Sequence, residues 1–189
     1  MPPAITADTG MDVLCHALEA YVSLAANDFS DALAEKVVQQ VFRFLPTCWR
    51  NGGDLLAREK MHNASCMAGM AFTNAILGAA HAMSHQVGGL LDLPHGVING
   101  VLLPHVIRFN AEADPEPYRE IALCLGVADP GAPAAEAALA LAERIDTLAR
   151  DVGVPRGLAE LGVHEDDLSR LAKTALQDAC MSTNPREAD

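Results

Sequence analysis

The sequence predicts an all-α fold, and three observations carry that prediction. No stretch alternates apolar and polar residues as a half-buried strand would. Apolar residues instead recur at intervals of three and four along most of the chain. Ala and Gly are plentiful while aromatics make up only 4%, a composition suited to helices that pack closely. Half of the 189 residues are apolar, enough to bury a core and too many for a disordered chain.

Thr6 or Asp8 can cap a first helix over roughly Thr9 to Ala25, with Val13, His16, Ala17 and Ala20 on one side and Asn27-Asp28 marking its end. A second helix is expected from about Phe29 to Leu45, with Asp31 and Glu35 early and Arg43 late, the order the helix dipole favours. Pro46 should end or kink it, and Asn51-Gly52-Gly53-Asp54 reads as a turn. One long third helix is expected from Asp54 through His81 and His85, ending at Gly88-Gly89, with Gly78 in its interior. Leu93-Pro94-His95-Gly96 turns into a short apolar helix, Val97 to Val106, kinked at Pro104. Pro115 to Gly126, Ala134 to Val152 and Glu165 to Ala179 follow as amphipathic helices.

Composition also narrows the classes of function. A net charge of −12 opposes nucleic acid and anionic membranes. The chargeless run Ala64–Ala80 falls short of the ~20 apolar residues of a membrane span and reads as a buried core helix. Five scattered cysteines without a CxxC pair suggest reduced, mostly buried thiols in a cytoplasmic protein. No signal-peptide pattern opens the chain.

The chemistry concentrates in histidines. His81 and His85 stand four apart on an apolar helix, as do Asp12 and His16 on the first one, so each pair shares a helix face. His95 follows on the Pro-His-Gly turn. An imidazole is costly to bury unless its nitrogens find partners. Asp12, His16, His81 and His95 together would suit Zn2+ or Fe2+. His62, His105 and His164 lack a ligand-spaced partner, and Arg108 reads as a surface charge. Glu19, three residues after His16, reads first as a solvent-facing carboxylate and second as an acceptor orienting a ligand imidazole.

Three stretches resemble the iron-containing (group III) alcohol dehydrogenases. They are Thr9-Gly10-Met11-Asp12-Val13-Leu14-Cys15-His16-Ala17-Leu18-Glu19-Ala20-Tyr21, Gly78-Ala79-Ala80-His81-Ala82-Met83-Ser84-His85 preceded by Gly69-Met70-Ala71-Phe72, and Leu93-Pro94-His95-Gly96-Val97. Asn184-Pro185-Arg186 is similar to a motif near the family's C-terminus. The resemblance implies the helical, metal-binding domain of that fold over residues 1–189, with Asp12, His16, His81 and His95 as metal ligands. It places His85 beside the nicotinamide and the substrate as the catalytic histidine, and Phe72 and Leu77 along the substrate pocket, though a plain core role fits those two equally.

The implied reaction is hydride transfer between a small alcohol or aldehyde and NAD(P), assisted by Fe2+ or Zn2+. Family members begin with a dinucleotide-binding α/β domain and usually add a last helix. Nothing here corresponds to the former, since Gly52-Gly53 and Gly88-Gly89 follow no strand. The chain is therefore expected to be the catalytic half, inactive alone, with an apolar face that favours a homo-oligomer. A glycerol dehydrogenase or a dehydroquinate synthase-like enzyme remains open, as does a non-catalytic metal-binding helical module.

Overall fold

The computed structural model describes all residues from Met1 to Asp189. It contains eight α-helices and no strand: α1 (Pro3–Val22), α2 (Asp28–Arg50), α3 (Leu55–Ala75), α4 (Ala79–Leu91), α5 (His95–Ala111), α6 (Glu116–Cys124), α7 (Ala134–Asp151) and α8 (Glu165–Ala175). Two short 3-10 helices, Leu158–Leu161 and Ala179–Thr183, flank α8. The all-α expectation holds.

α1 is the central element, in contact with α2, α3 and α5. It is buried on nearly every side from Met11 to Val22, as a helix surrounded by other helices should be. It starts earlier than expected because Pro3 occupies the first turn, where a missing N–H costs nothing. Thr6 is thus inside the helix, its hydroxyl donating to the Pro2 carbonyl (3.0 Å). Ahead of α2, Asn27 forms a capping box with Ser30. Pro46 does not end this helix; Leu45 and Cys48 on either side of it are buried in the core, and their burial outweighs the lost backbone bond.

α3 touches α1 and α2 through Ala57, Ala64, Ala68, Ala71 and Ala75. Small side chains on one stripe let the backbones come close. Leu14, Val38, Leu103, Ile107, Leu141 and Ile145 form the centre of the main core, which α1, α2, α5 and α7 share. Five free cysteines are present, as expected. Only Cys15 and Cys48 are buried, however; Cys180 is half-buried, and Cys66 and Cys124 are exposed.

The chief departure lies between residues 75 and 79. The single long helix is two, α3 and α4, with axes bent by 106°. Gly78 therefore precedes α4 rather than sitting in a helix interior, and Gly88-Gly89 lies within α4, which ends at Asp92 in the left-handed conformation. No single helix is long and apolar enough to cross a membrane; α3 and α4 pass that test only as a bent pair.

The bend forces Ile76 to φ +64°, a region that a β-branched residue adopts only under strain. Its side chain is exposed, so little packing is lost on removing it. Ile76→Gly should raise stability by about 1 kcal/mol, the strain released less the extra chain entropy. Urea unfolding checks this, and a lower midpoint would show that the conformation is unstrained.

Candidate metal centre

The bend leaves the first N–H groups of α4 without helical partners, and their acceptors come from distant parts of the chain. Glu19 on α1 accepts from Gly78 N–H (3.0 Å) and Ala80 N–H (2.6 Å). Asn184 Oδ1 accepts from Ala79 N–H (3.1 Å), and the Thr183 hydroxyl donates to the Leu77 carbonyl (2.7 Å). Ser23 Oγ donates to the Ala75 carbonyl at the end of α3. A carboxylate at a helix N-terminus is favoured by both its hydrogen bonds and the helix dipole. Gly78 is required here by space: a Cβ would stand 2.9 Å from Asn184 Oδ1 and 3.1 Å from Glu19 Oε1.

Glu19 is only 3% exposed, so its first sequence reading as a solvent-facing residue is wrong; it is an acceptor for an imidazole, that of His81. Oε2 stands 2.6 Å from His81 Nδ1. A carboxylate can only accept, so Nδ1 carries a proton and Nε2 is the atom left for a second proton or a cation. The i, i+3 spacing from His16 signals nothing about α4, which is why the sequence ranked the two readings in the wrong order.

Asp12 lies where the histidines converge. Its carboxylate is 3.6 Å from His81 Nε2, 3.5 Å from His95 Nε2 and 3.5 Å from His16 Nδ1. The donor atoms of Asp12, His81 and His95 all lie within 4.8 Å of one another. His16 stands beside them, its ring 4.4 Å from that of His81. Its Nδ1 donates to the Asp12 carbonyl (2.8 Å), which leaves Nε2 as its free lone pair. His95 reaches the cluster because α5 begins directly against α1, where a Cβ on Gly96 would run into the Asp8 backbone. Ser84 Oγ also donates to the His95 carbonyl (3.1 Å), fastening α4 to the same turn.

Asn99, which the sequence did not single out, is fully buried behind the cluster. Its Nδ2 donates to Asp12 Oδ1 (2.8 Å) and lies 3.1 Å from His81 Nε2. Its Oδ1 has no partner. Asparagine is common in helices at caps and on surfaces, so only its position four residues after His95 could have drawn attention.

The charges around these lone pairs call for a cation. Burial works against a charged His81, but Cys15, Asp12 and Glu19 around it outweigh burial and hold its pKa well above the ordinary range. Burial likewise opposes ionised Asp12, and hydrogen bonds and charges from His81, His16, Asn99 and His95 pull its pKa down. His16 is lowered, chiefly by burial. Tetrahedral ligands about 2.0–2.2 Å from a shared ion lie roughly 3.3–3.6 Å apart, the separation that Asp12 already keeps from Nε2 of His81 and of His95. Their nitrogen and oxygen atoms fit Zn2+ or Fe2+.

The remaining predicted residues flank this centre. The Phe72 ring stacks on His16 with centroids 4.6 Å apart. Leu77 is buried in the bend. His85 is 43% exposed, and Asp178 Oδ2 holds its Nδ1 at 3.0 Å. Its ring centroid lies 6.1 Å from that of His81 and 6.3 Å from that of His95. His105 is exposed on α5 and His164 caps α8. Arg108 is half-buried and donates to the Pro104 carbonyl.

Residues 6–189 match the family described as Fe-containing alcohol dehydrogenase, C-terminal. The chain belongs to the iron-containing alcohol dehydrogenase family. Within this family it is 47% identical over 188 residues to a 1,3-propanediol dehydrogenase of Klebsiella pneumoniae, an alignment covering all of this chain and 49% of that protein. It is 45% identical over 190 residues to an NAD-dependent methanol dehydrogenase of Bacillus methanolicus, covering 99% of this chain and 49% of the relative. A crystal structure of 1,3-propanediol oxidoreductase superposes with a TM-score of 0.97 at 46% identity, covering the whole chain and 50% of that protein. The chain thus spans about half the length of these iron-containing alcohol dehydrogenases.

Replacing Glu19 tests the orienting bonds. Glu19→Gln leaves one fewer acceptor for two buried N–H groups and should destabilise the chain by about 2–4 kcal/mol. Loss of an outer-shell carboxylate should also weaken metal binding by about 10–100-fold. Denaturant unfolding and metal titration of the same variant check both. Wild-type metal affinity in a folded Glu19→Gln protein would show that His81 needs no such support.

Proposed function

We propose that residues 1–189 are the helical, metal-binding half of an NAD(P)-dependent alcohol dehydrogenase acting on a small alcohol or aldehyde. The observation that carries this reading is the convergence of Asp12, His81 and His95 within 4.8 Å, with His16 alongside, in a chain of this family. Asp12, His16, His81 and His95 would hold the metal, Fe2+ or Zn2+. When bound, it supplies Lewis-acid polarisation of a substrate oxygen, with NAD(P) as the hydride partner.

The chain's own residues then have separate tasks. Glu19 and the Asp12 carbonyl occupy Nδ1 of His81 and His16, which leaves each Nε2 as the atom that would hold a cation. His85 is the proton carrier. Asp178 occupies its Nδ1, so Nε2 is the atom that takes the hydroxyl proton, and its 43% exposure gives that proton a way to solvent. Phe72, stacked on His16, would give a short carbon chain an apolar surface beside the centre, and Leu77 is the apolar residue of the adjoining bend.

Support for a short substrate comes from the relatives' names: 1,3-propanediol dehydrogenase, NAD-dependent methanol dehydrogenase and lactaldehyde reductase. The nicotinamide must be held at contact distance from the substrate carbon, a task for a nucleotide-binding domain paired with these helices.

Two measurements test this reading. Metal analysis should find Fe2+ or Zn2+ in the wild-type chain and about one equivalent less in His81→Ala or His95→Ala; equal content in all three would refute the ligand set. In a two-domain enzyme carrying these helices, His85→Ala should keep its metal and lose about 10²–10⁴-fold in turnover. Loss of the ion held by Asp12, His81 and His95 in that variant would make His85 a ligand of that centre instead.

A further inference from the structure

A second group of donors lies one helical turn beyond the first centre. His85 Nδ1, Asp178 and Cys180 Sγ lie within 4.8 Å of one another. We propose that these three residues form a second divalent-metal site, selective for a thiophilic ion such as Zn2+ or Cd2+.

The three side chains are carried by elements fixed to each other. Asp178 and Cys180 sit at the start of the 3-10 helix Ala179–Thr183, where Asp178 Oδ1 accepts from Cys180 N–H (2.9 Å) and so sets the spacing of the pair. Gln86 Nε2 reaches Asp178 Oδ2 from the neighbouring helix (3.3 Å). The end of the same 3-10 helix is tied to the start of α4 by Thr183 and Asn184, and α4 carries His85. Donors on rigid elements need little rearrangement to close on an ion.

The donor set differs from its neighbour in kind. Asp12, His16, His81 and His95 offer only nitrogen and oxygen. An imidazole, a carboxylate and a thiolate match Zn2+ and Cd2+, whereas Mg2+ and Ca2+ take oxygen ligands. Cys180 is half-buried and His85 is exposed, so an ion can enter and water can complete a tetrahedron. As the metal–sulfur bond forms, the Cys180 thiol releases its proton to solvent. The His85 proton moves from Nδ1 to Nε2, and one proton in total is liberated. An ion here holds the imidazole that carries the proton in the proposed reaction, so excess Zn2+ would inhibit it. The binding itself does not depend on that reaction.

The test is titration of the chain with Co2+ as a spectroscopic stand-in for Zn2+, followed by absorption and metal analysis. Wild type should bind one equivalent without sulfur charge transfer and a second with a near-ultraviolet thiolate-to-cobalt band. Cys180→Ser and Asp178→Asn should each lose the second equivalent and the band while keeping the first, which also shows that they fold. His95→Ala should lose the other equivalent and keep the band, so failure of the first centre is distinguishable from failure of this one. Saturation of wild type at a single equivalent, or a band that survives Cys180→Ser, would overturn the proposal.

Discussion

The structure depends on one buried carboxylate. Glu19 accepts from Gly78 N–H, Ala80 N–H and His81 Nδ1, and it is almost wholly removed from water. Burying an ionised carboxylate costs several kcal/mol unless its oxygens are fully engaged. Here three donors engage them, and the two backbone N–H groups would be unsatisfied without Glu19. The same group therefore starts α4 and holds the proton on His81 Nδ1. Backbone geometry and metal chemistry share one constraint, so the bend and the centre stand or fall together.

The bend explains the geometry of the cluster. A straight continuation of α3 would carry His81 and His85 onward along that helix. Turning by 106° lays α4 against α5 and α8 and faces His81 toward Asp12. α1 supplies Asp12, His16 and Glu19 on successive turns, two for the cluster and one to hold the element that completes it. Asn99 closes the back, donating its amide between Asp12 and His81. Strain at Ile76 is the local cost of this arrangement, of order 1–3 kcal/mol.

Much of this was legible in the sequence. Asp12, His16, His81 and His95 announce themselves because metal chemistry admits few residue types and helical spacing puts them on shared faces. The helices were visible from their periodicity. What stayed hidden were features set by tertiary contacts. Nothing local distinguishes Ala75-Ile76-Leu77-Gly78 from a helix interior, since Ala and Leu favour helix and a single Gly is tolerated; the break is imposed by acceptors on α1 and near the C-terminus. Pro46 misled in the opposite direction, because burial of Leu45 and Cys48 carries α2 past it. Glu19, Asn99 and Asp178 act across 62, 87 and 93 residues of sequence respectively, and no spacing rule reaches that far.

The most direct test of the account follows the histidine ring nitrogens themselves. Nitrogen-15 correlation spectra of labelled chain, recorded up to saturation with Zn2+, report the protonation and ligation of each imidazole atom. The account predicts that His81 and His16 keep Nδ1–H throughout and that Nε2 of His16, His81 and His95 takes the shift of a metal-bound nitrogen. A His81 ring that binds through Nδ1, or that remains unchanged at saturation, would contradict the role given to Glu19 and the centre built upon it.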